Sequence, residues 1–182
     1  HVAGTVGWMM CSVLKCENKD AFSFALDLGI AMQLTNIARD VYEDASMGRR
    51  YLPSNWVDNL SPYQIVEAAK DPNSKKANLI KRAILKVLDL SDTYYNSGVK
   101  GLVLLPWKAN LAIAIAAFVY RQIGIQLRRN QVNWYEGRTV TSNFVKFQSS
   151  CAALPFLFTR FKTLPKHDVK LHQPLAEKLD SL

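Results

Sequence analysis

Apolar residues recur along this chain at intervals of three and four, and almost no segment alternates with a period of two. This spacing predicts an all-α fold with helices over about 5–16, 20–45, 75–99, 106–129 and 142–161. A further short helix is predicted by the sequence Ser61-Pro62-Tyr63-Gln64, which has the form of a capping box with proline at the first helical position.

The composition changes near residue 165, where the chain becomes basic and polar. Since no repeat or linker divides the residues before that point, we expect one domain over 1–165 and a basic, mobile tail over 166–182. The chain opens on His1 with no initiator methionine and no signal peptide. We therefore expect it to be the C-terminal part of a longer protein.

The helix predicted over 20–45 carries one stripe of polar and small residues. At about 100° per residue, five positions fall within an arc of roughly 80°: Gly29, Gln33, Asn36, Asp40 and Asp44. Most of the remaining circumference is apolar, which is typical of a helix surrounded by protein. We therefore expect the stripe to face an internal cavity.

The carboxylates of Asp40 and Asp44 lie one turn apart and repel each other, more strongly when they are desolvated. A bridging cation would relieve this repulsion. Oxygen ligands from these two residues and from Asn36 suit Mg²⁺, which binds through one or two carboxylates together with substrate phosphates. Arginines that could bind those phosphates follow closely in the sequence: Arg39, Arg49 and Arg50. The alternative is a solvated acidic turn at a helix end, partly neutralised by Arg39.

The helix predicted over 106–129 presents mostly small residues and one aromatic on one face: Ile113, Ala116, Ala117, Tyr120 and Gly124. Such a wall could line a tunnel for a long apolar ligand, with the π face of Tyr120 near a reacting carbon. The alternative is an ordinary bundle core with a tyrosine at its edge. The three histidines, at positions 1, 167 and 172, lie near the termini, and the sequence shows no partner for them.

The chain has 23 Lys and Arg against 15 Asp and Glu, a net charge of +8, which favours an anionic partner. Nucleic acid, a phosphorylated small molecule and a membrane surface all meet that description. The three cysteines form no disulfide or zinc pattern, which indicates a reducing, cytoplasmic compartment. The longest strongly apolar run, 111–120, is shorter than the roughly 20 residues that a spanning helix needs, so we expect no transmembrane helix within these residues.

Several stretches resemble successive signatures of the squalene/phytoene synthase family. They are Val-Ala-Gly-Thr-Val-Gly at 2–7, Gln-Leu-Thr-Asn-Ile-Ala-Arg-Asp-Val-Tyr-Glu-Asp at 33–44 and Gly-Arg-Arg-Tyr-Leu-Pro at 48–53. Leu-Pro at 105–106 and Val-Tyr-Arg-Gln-Ile-Gly at 119–124 resemble its bacterial phytoene synthase branch. The resemblance implies an isoprenoid (terpenoid) synthase fold, a helical bundle around a central cavity, incomplete here at the N-terminus.

Members of that family hold Mg²⁺ between two aspartate-rich motifs, and the resemblance makes Asp40 and Asp44 the second of them. It implies Asn36, Asp40 and Asp44 as metal ligands. It implies four catalytic residues: Asp40, Asp44, Tyr120 and Arg39. It implies the following substrate-binding residues: Val2, Gly29, Gln33, Asn36, Arg39, Arg50, Tyr51, Tyr120 and Arg138. The first motif has no equivalent in this sequence, so we expect the 182 residues alone to be inactive.

The implied reaction is a prenyltransferase step of carotenoid biosynthesis. Two geranylgeranyl diphosphates condense head to head to phytoene through a cyclopropyl (prephytoene) diphosphate. Mg²⁺ is the expected cofactor, with Mn²⁺ as a substitute. NADPH is not expected, because no glycine-rich nucleotide loop is visible.

Two alternatives remain open: squalene or diapophytoene synthesis by the same family, and a non-catalytic basic helical module that binds a membrane. Nucleic acid is not an expected partner, because the arginines lie beside carboxylates that repel a phosphate backbone. The apolar substrate and product imply peripheral contact with a membrane surface, which for a cytoplasmic protein is the inner membrane.

Overall fold

A computed structural model describes residue 9 and the segments 19–137 and 165–173. The described residues form helices and connecting turns, and no strand occurs among them. The α-helices are α1 (Lys19–Arg39), α2 (Val41–Ser46), α3 (Pro62–Ala68), α4 (Lys75–Gly98) and α5 (Trp107–Arg129). Three 3₁₀ helices accompany them: Ser54–Trp56, Val99–Leu104 and Val169–His172. The predicted all-α class is confirmed. The helix predicted over 142–161 lies outside the described residues, as does that over 5–16 apart from residue 9, which is helical.

The helix predicted over 20–45 is divided in two at Asp40. This residue has φ −99° and ψ 17°, which ends α1 at Arg39 and lets α2 begin at Val41. The backbone bonds from Asp40 N to Asn36 O (2.9 Å) and from Asp44 N to Asp40 O (2.8 Å) nevertheless continue across the break. The helical register is therefore kept, and the acidic positions remain on successive turns.

The helix starts that depend on side-chain caps are confirmed. Ser61 Oγ accepts a hydrogen bond from Gln64 N at 3.3 Å, and Gln64 Oε1 accepts one from Ser61 N at 2.8 Å, so α3 has the predicted capping box. Ser74 Oγ accepts a bond from Ala77 N at 3.1 Å and caps α4 in the same way. Each such cap contributes about 1 kcal/mol to the stability of its helix.

The core lies where α1 packs against α4 and α5. A small polar network joins two of these helices. Thr35 Oγ1 lies 3.0 Å from Ser91 Oγ and 3.3 Å from Tyr95 Oη. The hydroxyls of Thr35 and Ser91 both donate to Ala31 O. Burial raises the pKa of Tyr95, so this phenol stays neutral and available for hydrogen bonding. The network fixes α1 and α4 in one register.

Two helices are long and apolar enough to cross a membrane when judged by length and composition alone: Asp20–Arg39 and Trp107–Arg129. A helix can be apolar enough on average although polar residues interrupt its apolar run, so the expected absence of a transmembrane helix stays a prediction. The indication is weak, because the core helices of a bundle pass the same test. In α1 the fully buried Asp27 interrupts the apolar character of the helix.

The segment 165–173 docks against α1 and α4. His167 Nε2 lies 2.9 Å from Asp27 Oδ2, His172 Nε2 lies 2.6 Å from Asp27 Oδ1, and Tyr94 Oη donates to Leu171 O at 3.2 Å. The interpretation that these histidines have no partner is therefore wrong. The signal was hidden because the partners are more than 100 positions apart in the sequence. The division of the chain at residue 165 stays a prediction.

Candidate metal and diphosphate site

The polar stripe extends from α1 into α2 as its spacing predicts. Gln33 is exposed, whereas the other four members are half-buried: Gly29, Asn36, Asp40 and Asp44. These side chains are thus partly shielded from water without being enclosed by the described residues. The internal cavity that the sequence places beneath them stays a prediction.

Arg39 and Asp40 form a two-bonded ion pair at the helix break. Arg39 Nε donates to Asp40 Oδ1 at 2.7 Å, and Nη2 donates to Oδ2 at 2.6 Å. Arg39 is only 8% exposed, and the hydrogen bonds to Asp40 raise its pKa, so the guanidinium is held firmly in its charged form. Any cation that binds Asp40 therefore shares these oxygens with Arg39, since each oxygen keeps a second lone pair.

Asp44 lies in an electrostatically unfavourable position. Burial raises the pKa of its carboxyl, and the negative charges of Asp40 and Glu43 raise it further, with a partial offset from Arg49. A carboxylate that is both desolvated and crowded by like charges is stabilised by a nearby cation. The surroundings of Asp44 thus favour a positive ion.

Within the described part of the chain, two buried side-chain oxygens of the acidic stretch have no hydrogen-bond partner: Asn36 Oδ1, two helical turns before Asp44, and Glu43 Oε2, on the residue next to it. An unpaired buried polar atom costs about 1–3 kcal/mol, so each of them is a candidate ligand. Glu43 received no role from the sequence, although its helical position lies only about 60° from Asp40 around the axis. Amide and carboxylate oxygens are the ligands that Mg²⁺ prefers, and the donor set therefore fits that ion.

The three carboxylates of this region do not converge on one point. Among the described residues, the group of three His, Cys, Asp or Glu donors that lies within 4.8 Å is elsewhere, at Asp27, His167 and His172. An ion bound by Asp40, Glu43 or Asp44 would accordingly use one or two of them and take other ligands from water, phosphate or further side chains. The metal site itself stays a prediction.

The residues expected to contact diphosphate differ in their exposure and in the hydrogen bonds they already make. Arg50 is half-buried and its Nη1 donates to Leu60 O at 2.6 Å, which ties it to the following loop. Arg49 and Tyr51 are exposed. Gly48 adopts φ +75°, and the resulting turn brings Arg49 N to within 2.8 Å of Asp44 O. The turn therefore holds an exposed arginine next to the acidic stripe.

Tyr120 lies on α5 with its side chain partly exposed, and it interacts electrostatically with Arg39. The structure thus brings α5 and the end of α1 together at these two residues. Two residues of the small-residue face of α5 pack against other helices and do not line a tunnel. Ala117 is buried against α1 and α4, and a Cβ placed on Gly124 would lie 3.1 Å from Leu88 Cδ2. For these two residues the bundle-core alternative is correct.

Val2 and Arg138 lie outside the described residues. The residue before the latter, Gly137, has φ +91°, and a Cβ built on it would lie 3.8 Å from Glu43 Oε1. The chain therefore passes beside the acidic site just before position 138.

Comparison with known proteins identifies the family. Residues 1–145 match the model of the squalene/phytoene synthase family. A 15-cis-phytoene synthase of a Paracoccus species is 39% identical over 146 residues, which cover 80% of this chain and 46% of that protein. The 15-cis-phytoene synthase of Enterobacter agglomerans is 39% identical over 153 residues, covering 84% of this chain and 50% of the relative.

More distant relatives match over a similar share of the chain. The chloroplastic phytoene synthase of Narcissus pseudonarcissus is 30% identical over 171 residues, or 91% of this chain and 38% of its own length. The chain spans about half the length of the first curated relatives it matches. The match of 145 residues includes the whole acidic stripe and the arginines that follow it. The chain therefore belongs to the squalene/phytoene synthase family, which has the helical isoprenoid synthase fold.

Proposed function

We propose that this chain serves in a prenyltransferase that condenses two geranylgeranyl diphosphates head to head to phytoene. The supporting observation from the structure is that Asn36 Oδ1 and Glu43 Oε2 are buried without a hydrogen-bond partner among the described residues, in the same stretch as the crowded carboxylate of Asp44. The supporting observation from the comparisons is the 39% identity to proteins named 15-cis-phytoene synthase across four-fifths of the chain.

Asn36, Asp40, Glu43 and Asp44 would supply the metal ligands, each bound ion taking one or two of them. When bound, Mg²⁺ or Mn²⁺ supplies positive charge that favours departure of diphosphate. Arg39 orients Asp40 through its two hydrogen bonds, and the same planar pair of N–H groups matches phosphate oxygens. Arg49 and Tyr51 are exposed and can bind the diphosphate of a prenyl substrate.

The apolar part of the substrate would lie along α5. Ile113 and Ala116 are only half-buried, so they can pack against a prenyl chain, and Tyr120 presents a π face that stabilises positive charge on carbon. Exclusion of water by such a wall protects a reactive carbocation from hydrolysis. Because substrate and product are both apolar, we also propose peripheral contact of this protein with a membrane.

The proposal is tested by joining these residues to the N-terminal part of the Enterobacter agglomerans enzyme, in place of the stretch that they match. The fusion is supplied with geranylgeranyl diphosphate and Mg²⁺, and phytoene is measured by chromatography. We expect phytoene from the fusion, and at least a 100-fold loss with Asp44→Asn, because that carboxylate acts on the leaving group. The 182 residues alone should form none.

Asp58→Asn is the matched control, because it makes the same chemical change at an exposed residue with φ 50°, a conformation that asparagine tolerates. It should leave the rate unchanged. A parallel reaction with farnesyl diphosphate and NADPH tests the squalene and diapophytoene alternatives. A folded fusion that forms no prenyl product from either substrate would contradict the proposed function.

A further inference from the structure

A second cluster of ligand atoms lies away from the acidic stripe. The carboxylate of Asp27 is fully buried in α1, and each of its oxygens faces one imidazole, that of His167 at 2.9 Å and that of His172 at 2.6 Å. The three ligand atoms all lie within 4.8 Å of one another. Within the described part of the chain, no other three His, Cys, Asp or Glu donors come as close.

The buried carboxylate of Asp27 is stable only if a positive charge lies close to it. A buried carboxylate is costly unless it is paired with a cation or bound to a metal. Among the described residues, no lysine or arginine forms an ion pair with Asp27, and its partners are the two imidazoles. That positive charge can come from a proton shared with the imidazoles or from a divalent ion held between the three side chains, and three ligand atoms within 4.8 Å of one another suit the ion.

We propose that Asp27, His167 and His172 form a site for Zn²⁺ that fastens the segment 165–173 to α1. Two imidazole nitrogens and one carboxylate oxygen are a common Zn²⁺ donor set, and three protein ligands leave a fourth position for water. Mg²⁺ is disfavoured because it prefers oxygen ligands. The site is therefore chemically distinct from the acidic stripe, and it does not depend on the proposed function.

The surroundings fix two of the ligands and leave the third adjustable. The side chains of Asp27 and His167 are 0% and 4% exposed, and the edge of the Phe24 ring packs against the ring of His167 at a centroid distance of 5.1 Å. His172 is 20% exposed, so water can reach the site from its side. Tetrahedral Zn²⁺ separates its ligand atoms by roughly 3.3 Å. The two nitrogen–oxygen pairs, now at 2.9 Å and 2.6 Å, would therefore move apart when the ion binds.

The test uses the purified full chain in excess Mg²⁺, so that oxygen sites are filled before the transition metal is added. Co²⁺ replaces Zn²⁺ as a visible probe, because tetrahedral cobalt has strong absorption bands. We expect one Co²⁺ per chain with such a spectrum, and its displacement by Zn²⁺. His172→Gln should weaken Co²⁺ binding at least 10-fold, whereas His172→Glu retains a ligand and should retain binding.

His1→Gln is the matched control, because it removes the remaining histidine of the chain and should leave the spectrum unchanged. Circular dichroism verifies that each variant is folded. If the folded chain gives no tetrahedral cobalt spectrum, or if His172→Gln binds Co²⁺ as tightly as the original chain, the three residues are a hydrogen-bonded clasp and the proposal is wrong. Loss of phytoene synthesis has no bearing on this result.

Discussion

Asp44 carries a charge that its surroundings disfavour in the folded chain. Burial and the neighbouring charges of Asp40 and Glu43 raise its pKa, so the folded state binds its proton more tightly than the unfolded chain does. Protonated Asp44 therefore adds to the free energy of unfolding at low pH. This contribution is lost as the pH rises from about 4, the usual value for aspartate, through the raised pKa of the folded state.

The first prediction is that Asp44→Asn stabilises the fold at about pH 7 when divalent ions are absent. The gain in the free energy of unfolding should be less than about 1 kcal/mol, because solvent screens this half-buried group. Mg²⁺ with inorganic pyrophosphate should raise the stability of the original chain and not that of the variant, since a ligand stabilises only the state that binds it. Chemical denaturation with and without the two ligands measures both effects.

Asp58→Asn serves as the control for the removal of one exposed negative charge, and it should respond to Mg²⁺ and pyrophosphate as the original chain does. Two results would contradict this view of Asp44. One is a loss of stability in the ion-free variant, and the other is an undiminished response of that variant to the two ligands.

The contact between α1 and α4 depends on a glycine at the end of α4. A Cβ placed on Gly98 would lie 2.9 Å from Leu28 N and 3.0 Å from Leu28 Cβ, and the backbone of a packed helix cannot easily move away. We predict that Gly98→Ala lowers the free energy of unfolding by about 1–3 kcal/mol, as expected for overpacking. Thermal and chemical denaturation measure this loss.

Asn96→Ala tests whether the loss comes from this contact. Asn96 is exposed on the same helix, and alanine has the higher helix propensity, so this variant should be as stable as the original chain or slightly more so. Alanine is favoured over glycine by about 1 kcal/mol in a helix, which would make Gly98→Ala stabilising if no clash occurred. An increase in stability would therefore disprove the close approach.

The helix boundaries show which elements can be predicted from sequence. The starts of α3 and α4 were predictable because Ser61 and Ser74 cap them through local hydrogen bonds. The break at Asp40 was not, because the backbone bonds across it keep the 3.6-residue period, and periodicity was the basis of the prediction. Local signals thus predict where these helices begin but not where one of them bends.

The site was predictable to the extent that it lies on one helix face. The spacing of Asn36, Asp40 and Asp44 was sufficient to place them on successive turns. The pairing of Asp27 with two histidines depends on contacts across 140 and 145 residues, and no local pattern carries that information. The position of Asp27 between Leu26 and Leu28 in α1 was the available signal, since a buried charge implies a partner.

The whole molecule carries a net charge of +8, yet two of its helices are apolar enough to raise the question of membrane insertion. The two properties predict different kinds of membrane contact. Basic residues attract anionic headgroups, and salt weakens that attraction within a Debye length of about 8–10 Å. An inserted apolar helix is held by the hydrophobic effect, which salt does not weaken.

We expect the protein to bind vesicles that contain anionic phospholipid and to be released from them as the salt concentration rises. Neutral phosphatidylcholine vesicles are the control and should bind little of it, because they lack the negative surface potential. Co-sedimentation at increasing salt measures the release. Binding that survives high salt and alkaline carbonate would show that α1 or α5 inserts, and an absence of binding to either vesicle would disprove the membrane contact. Release by salt is the expected outcome, because in α1 the buried Asp27 and in α5 the packed Ala117 already belong to the protein core.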